Sequence, residues 1–135
     1  MVILDASVIL KWLVNEEGSA EALLFRESHV QGEERIIVPS LLLYEIANVL
    51  RHHKDLPDEE LLSLFEILKD MELLTVNLSF AEFEETMLYA RSKQISVYDA
   101  TYVVLAKNLG CELITADKRL ERAVNEPFVK NLSQE

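Results

Sequence analysis

The chain has 135 residues, half of them apolar, with a formal net charge of −11 and only three glycines and three prolines. This suits one globular domain with a single core and excludes a disordered or fibrous chain. The acidity argues against non-specific nucleic-acid binding by the whole surface, while leaving room for a local nucleic-acid site or a basic protein partner.

Cys111 is the only cysteine, so no intrachain disulfide is expected, and in its apolar strand it reads as a small core hydrophobe. Charges such as Lys11 and Glu45 interrupt every apolar run before the ~18 residues of a membrane span. No basic region precedes the first apolar run, as it would in a secretory leader. The expectation is a cytoplasmic protein without membrane contact.

In chain order, VILD (2–5) reads as a short strand, followed by a helix from about Ser7 to Val14 and another from Ser19 to about Val30. RIIVP (35–39) is a second strand, and SLLLYEIANVLRHH (40–53) a helix with Leu42, Leu43, Ile46, Val49 and Leu50 inward. Asp58 is expected to cap the helix EELLSLFEILKDM, ahead of a third strand at 73–77. Ser79 and Glu82 form a capping box for a helix reaching about Ser92. A further helix begins at Tyr98 or Asp99 and ends at Gly110 as its C-cap. CELIT (111–115) is a fourth strand, DKRLERAV (117–124) a short helix and FVKN (128–131) a fifth, edge strand. Strands separated by helices imply βαβ crossovers and a parallel sheet, whose ligand site lies beyond the carboxyl ends of the strands.

Four acids stand out. Taken singly, Asp5, Asp99 and Asp117 each read as helix caps. Glu45 does not: its helix is apolar almost all round, and Leu41, Leu42, Asn48 and Val49 at i±3 and i±4 offer no ion pair. It needs a distant partner, and a metal explains all four acids together. Asp5 and Asp117 lie at strand ends and Glu45 and Asp99 near helix starts, so all four can approach one sheet edge. Packed carboxylates stay ionised at neutral pH only if cations offset their charge, and an all-oxygen set selects Mg²⁺ or Mn²⁺. Two such ions can activate water for phosphodiester hydrolysis. Ser7 and Thr115 are expected to hydrogen-bond to the carboxylates in support, with Ser7 taking over the capping of the first helix.

VILDASVILKWLVNEEGS, VPSLLLYEIANVL, SVYDATYVVLAKNLG and ELITADKRL resemble, in order, the motifs of PIN-domain ribonucleases, and among them the VapC-type toxins of prokaryotic toxin–antitoxin modules. The similarity runs from the first strand to about Leu120. The resemblance implies a single PIN-like nuclease domain over 1–135, an α/β/α sandwich around a parallel sheet of four to five strands, and Mg²⁺- or Mn²⁺-dependent endoribonuclease activity. It places Asp5, Glu45 and Asp99 as the core metal set, Asp117 as the more variable fourth acid, and Ser7 and Thr115 as polar supports. It further implies an RNA substrate, a homodimer and a cognate antitoxin.

Lys118, Arg119 and Arg122 after Asp117, with Arg91 and Lys93 before Asp99, are candidates for a basic rim that holds phosphates. Tyr98 is the one aromatic singled out for RNA contact, whereas Trp12, Phe25, Phe65 and Phe80 read as core or interface. RHHK (51–54) reads as an exposed helix end. Two rivals are a receiver-like phosphoacceptor domain, which lacks the Asp it needs in TVNLS after strand three, and a catalytically silent PIN-like binding module. A haloacid-dehalogenase-like phosphatase would need Asp where Ser7 stands.

Overall fold

The computed structural model describes residues 1–134. One five-stranded sheet, ordered β3-β2-β1-β4-β5, lies between two helical layers. Its strands are β1 (Val2–Leu4), β2 (Ile36–Pro39), β3 (Leu74–Val76), β4 (Glu112–Thr115) and β5 (Val129–Asn131). All neighbours pair in parallel, with Leu4 opposite Ile114 and Thr115 opposite Asn131. The helices are α1 (Ala6–Leu13), α2 (Ser19–Val30), α3 (Leu41–Leu50), α4 (Asp58–Asp70), α5 (Phe80–Lys93), α6 (Val97–Leu109) and α7 (Lys118–Val124), followed by a 3₁₀ turn at Leu132–Gln134. Among the described residues, no helix is long and apolar enough to cross a membrane.

The strands are short, continuous apolar runs because both of their faces are covered. Val2, Leu4, Ile36, Val38 and Ile114 pack against α1 to α4. Their neighbours Ile3, Ile37, Leu113 and Val129 pack against α6 and α7 on the other side. Trp12 ties α1 to α2 by donating its indole N–H to the Ala22 carbonyl at 2.8 Å. Phe80, expected in a core or an interface, is 84 % exposed, so it is no part of the core.

Topology makes one crevice. From β1 the chain moves outward through β2 to β3, then returns to place β4 and β5 on the other side of β1. The β1–β4 junction is therefore the point where strand order reverses, the place beyond whose strand ends sheets of this kind take their ligands. Receiver-like domains order their strands 2-1-3-4-5, so this sheet removes that rival. α6 turns straight into β4 through Gly110, whose φ of 67° supplies the left-handed C-cap. α6 therefore begins at the carboxyl edge of the sheet, which brings Asp99 to the crevice.

Several ends differ from expectation. α6 starts at Val97, because the Ser96 hydroxyl accepts the Asp99 amide at 3.0 Å and so caps the helix earlier than Tyr98 or Asp99 would. Pro57 occupies the N-cap of α4, with Asp58 as its first residue. α3 stops at Leu50, and RHHK falls in the turn beyond it, where His52 is exposed. The capping box at Ser79 and Glu82 is present, with both reciprocal bonds formed. Ser96→Ala is expected to lower the unfolding free energy by about 1 kcal/mol, measured by urea denaturation; an unchanged midpoint would mean that the cap does not hold the start of α6.

Candidate active site

Asp5 follows β1 directly and is 6 % exposed. Its side chain, not that of Ser7, caps α1: Oδ1 accepts the amides of Ser7 at 3.0 Å and Val8 at 3.4 Å. This corrects the expected division of labour. Asp5 has the extended backbone of an N-cap, whereas Ser7 is already inside the helix. The Ser7 hydroxyl instead donates to the same Oδ1 and accepts the Ala116 amide at 2.9 Å, joining the turn after β1 to the turn after β4. Thr115 stands beside it, 3.5 Å from the Ser7 hydroxyl, and accepts the Asp117 amide at 3.0 Å. Asp117 caps α7, its Oδ1 accepting the amides of Arg119 at 2.9 Å and Leu120 at 3.3 Å.

Glu45 finds the distant partner that its helix lacks. The Tyr102 hydroxyl donates to Oε1 at 2.6 Å across 57 residues of sequence. Tyr102 was not among the residues singled out from the sequence. The available signal was a lone tyrosine in the aliphatic run ATYVVLAKNL, one turn after Asp99.

The four acids share one field. Burial pushes the Asp5 carboxyl from an ordinary 3.8 up to about 6, against hydrogen bonds from Ser7, Thr115 and Val8 that favour its charged form, and with repulsion from Asp99 adding to the rise. Glu45 is raised by burial and by Asp99, with Tyr102 opposing. Asp99 is raised by burial and by Asp117, with the Ser96 hydroxyl and the Arg119 charge opposing. Asp99 is thus the acid that couples electrostatically to each of the other three.

The donor set suits a hard divalent cation: only carboxylates, already mutually repelling. Asp5, Glu45 and Asp117 each commit one oxygen to the protein, leaving the second outside these bonds. Among the described residues, no three His, Cys, Asp or Glu side chains are closed around a single point.

The remaining candidates spread to either side. Arg119 acts on Asp99 through its charge. Lys118 lines a cavity of about 280 Å³ with Lys11, Glu17 and Asn131. Tyr98, 62 % exposed, lines a cleft of about 420 Å³ with Tyr44, Asn77 and Phe83. The ammonium of Lys93 lies 3.9 Å from Glu126 and over the Tyr89 ring.

The model of the PIN domain matches residues 2–126. The chain belongs to the PIN-domain family. Among curated relatives, ribonuclease VapC3 of Pyrobaculum aerophilum is 33 % identical over 124 residues, covering 88 % of this chain and 91 % of that protein. Ribonuclease VapC9 of Mycobacterium tuberculosis is 34 % identical over 124 residues, covering 89 % and 88 %. Among solved structures, VapBC2 from Rickettsia felis, bound to a DNA fragment from its promoter, superposes with a TM-score of 0.71 at 17 % identity, covering 97 % of this chain and 98 % of that one. At that identity it supports the PIN fold alone.

The raised Asp5 carboxyl makes a stability prediction for this PIN domain. A carboxyl whose folded value lies above its unfolded one contributes stability that is full below 3.8 and lost as pH rises through about 6. Asparagine mimics the protonated form and caps a helix as well as aspartate does. In EDTA near pH 8, Asp5→Asn should therefore raise the unfolding free energy by up to about 3 kcal/mol, a gain that fades towards about pH 4. Denaturant melts across that range check it; a loss of stability independent of pH would contradict it.

Proposed function

We propose that this PIN domain is a metal-dependent endoribonuclease that hydrolyses RNA phosphodiesters at Asp5, Glu45, Asp99 and Asp117, and that it acts as the toxin of a toxin–antitoxin pair. The observation that carries the reading is placement: Asp5 and Asp117 follow the adjacent strands β1 and β4, and the Tyr102 bond ties Glu45 to α6, the helix whose first turn holds Asp99. The charges are close enough that Asp99 adds to the rise burial gives Asp5 and Glu45, and Asp117 to that of Asp99. The ribonuclease names of its relatives support the same reading.

Asp5, Glu45 and Asp99 would hold Mg²⁺ or Mn²⁺, with Asp117 as the fourth acid. A bound ion supplies Lewis-acid chemistry, stabilising the charge that builds on the phosphate during hydrolysis. The chain's own residues supply order. The amides opening α1, with the Ser7 hydroxyl, fix Asp5; Tyr102 fixes Glu45; and the amides opening α7 fix Asp117. In this reading Arg119 and Lys118 would meet phosphates flanking the cut, and Tyr98 would stack on an unpaired base.

A homodimer fits the surface. Phe80, Phe83, Met87 and Leu88 on α5 are 84 %, 52 %, 55 % and 61 % exposed, an apolar helix face with no cover in the monomer. The acidic surface suits an antitoxin that carries basic side chains.

Purified protein, free of any antitoxin, is expected to cleave a pool of cellular RNA with Mg²⁺ or Mn²⁺ and to stop when EDTA is added. Asp5→Asn and Asp99→Asn should each lower the rate by more than about a hundredfold, beyond the 10–100-fold typical of losing a ligand's supporting partner. Cleavage that survives both substitutions would place the activity elsewhere. Toxicity on expression, relieved by co-expression of the neighbouring reading frame, tests the toxin role.

A further inference from the structure

Glu45 has a single side-chain hydrogen bond among the described residues, and its donor stands on another helix. Tyr102 is 1 % exposed, its ring sunk in the cluster of Ile3, Ile37 and Leu113 under the sheet. A phenol buried this deeply requires an acceptor, and the Glu45 carboxylate provides one at 2.6 Å, the length of a charge-assisted bond. This is the only side-chain hydrogen bond between α3 and α6 among the described residues. Tyr102 lies three residues after Asp99, so both occupy one face of α6. A single helix therefore carries the acid at the centre of the field and the group that holds the carboxylate on α3.

The position of Glu45 in α3 gives it no helix-end amide to accept from. The other three acids sit at helix N-termini or in a first turn, where backbone amides and the helix dipole favour a carboxylate. Glu45 is the fifth residue of α3, past the free amides. Without the phenol, its carboxylate would rotate about three side-chain torsions and scatter among rotamers.

We propose that Tyr102 is a positioning residue that pins Oε1 of Glu45 to α6 and leaves Oε2 as the oxygen with which this glutamate takes a divalent cation. This rests on the metal-dependent reading above. Tyr102 touches neither substrate nor metal; it sets cation affinity through Glu45.

Isothermal titration of Mn²⁺ into the RNA-free protein tests this, using wild type, Tyr102→Phe, Glu45→Gln and the double variant, with thermal unfolding as the check on folding. Phenylalanine fills the same space without the hydroxyl. The single change should weaken Mn²⁺ binding roughly ten- to a hundredfold, and the double variant should bind no more weakly than Glu45→Gln alone, because the two groups act as one. In the cleavage assay, the Mg²⁺ needed for half-maximal rate should rise by the same factor while KM for RNA stays constant. Wild-type affinity in Tyr102→Phe, or a double variant whose loss is the sum of the two single losses, would overturn the role of Tyr102 and leave the metal reading standing. A wild-type protein that takes up no Mn²⁺ would overturn the metal reading itself, and this proposal with it.

Discussion

Burial of carboxylates beside one another is the constraint around which this end of the molecule is arranged. Burial raises the carboxyls of Asp5, Glu45 and Asp99; repulsion from Asp99 adds to the rise at Asp5 and Glu45, and repulsion from Asp117 adds to it at Asp99. Asp5 at about 6 remains mostly ionised at neutral pH, but by a narrow margin. Holding such groups together in partial burial costs stability. The structure offsets part of that cost with α1 amides and a hydroxyl on Asp5, a phenol on Glu45, a serine and an arginine acting on Asp99, and α7 amides on Asp117.

The fold explains why these acids gather at one edge of the sheet. In a parallel sheet each strand hands over to a helix at the same edge, so helix N-termini gather there. α1 and α7 start just past β1 and β4, the adjacent pair where strand order reverses. α6 starts at the same edge because it runs back into β4. Capping and cation binding are not competing roles for Asp5 and Asp117. The cap uses one oxygen and fixes the direction of the other. Glu45 lies beyond the reach of helix-end amides, and the bond to Tyr102 replaces what its position denies it.

Much of this was readable in the sequence, for reasons that differ by residue. The five strands, the span of α2 and the capping box at Ser79 follow from local periodicity and side-chain chemistry, which need no knowledge of the tertiary fold. Glu45 was conspicuous because a charge without a neighbour at helical spacing is a local anomaly. Its partner was not legible, because a bond across 57 residues depends on how α3 and α6 pack. The sequence pointed to Ser7 as the first cap; the extended backbone at Asp5, with Ser7 already inside the helix, reverses that assignment. Ser96 was overlooked because two acid or aromatic residues after it seemed equally able to begin the helix. The neighbour of Lys93 was not legible either, because its 3.9 Å approach to Glu126 joins distant segments.

The central claim is that Asp5, Glu45, Asp99 and Asp117 form one cation site. Thermal unfolding of the RNA-free protein against Mn²⁺ concentration tests it most directly, since an ion that binds only the folded state raises the midpoint by mass action. The wild-type midpoint should climb steadily with Mn²⁺, while that of Asp99→Asn, lacking the acid that couples to the other three, should stay nearly flat. Equal climbs in both proteins, or none in either, would contradict a shared site.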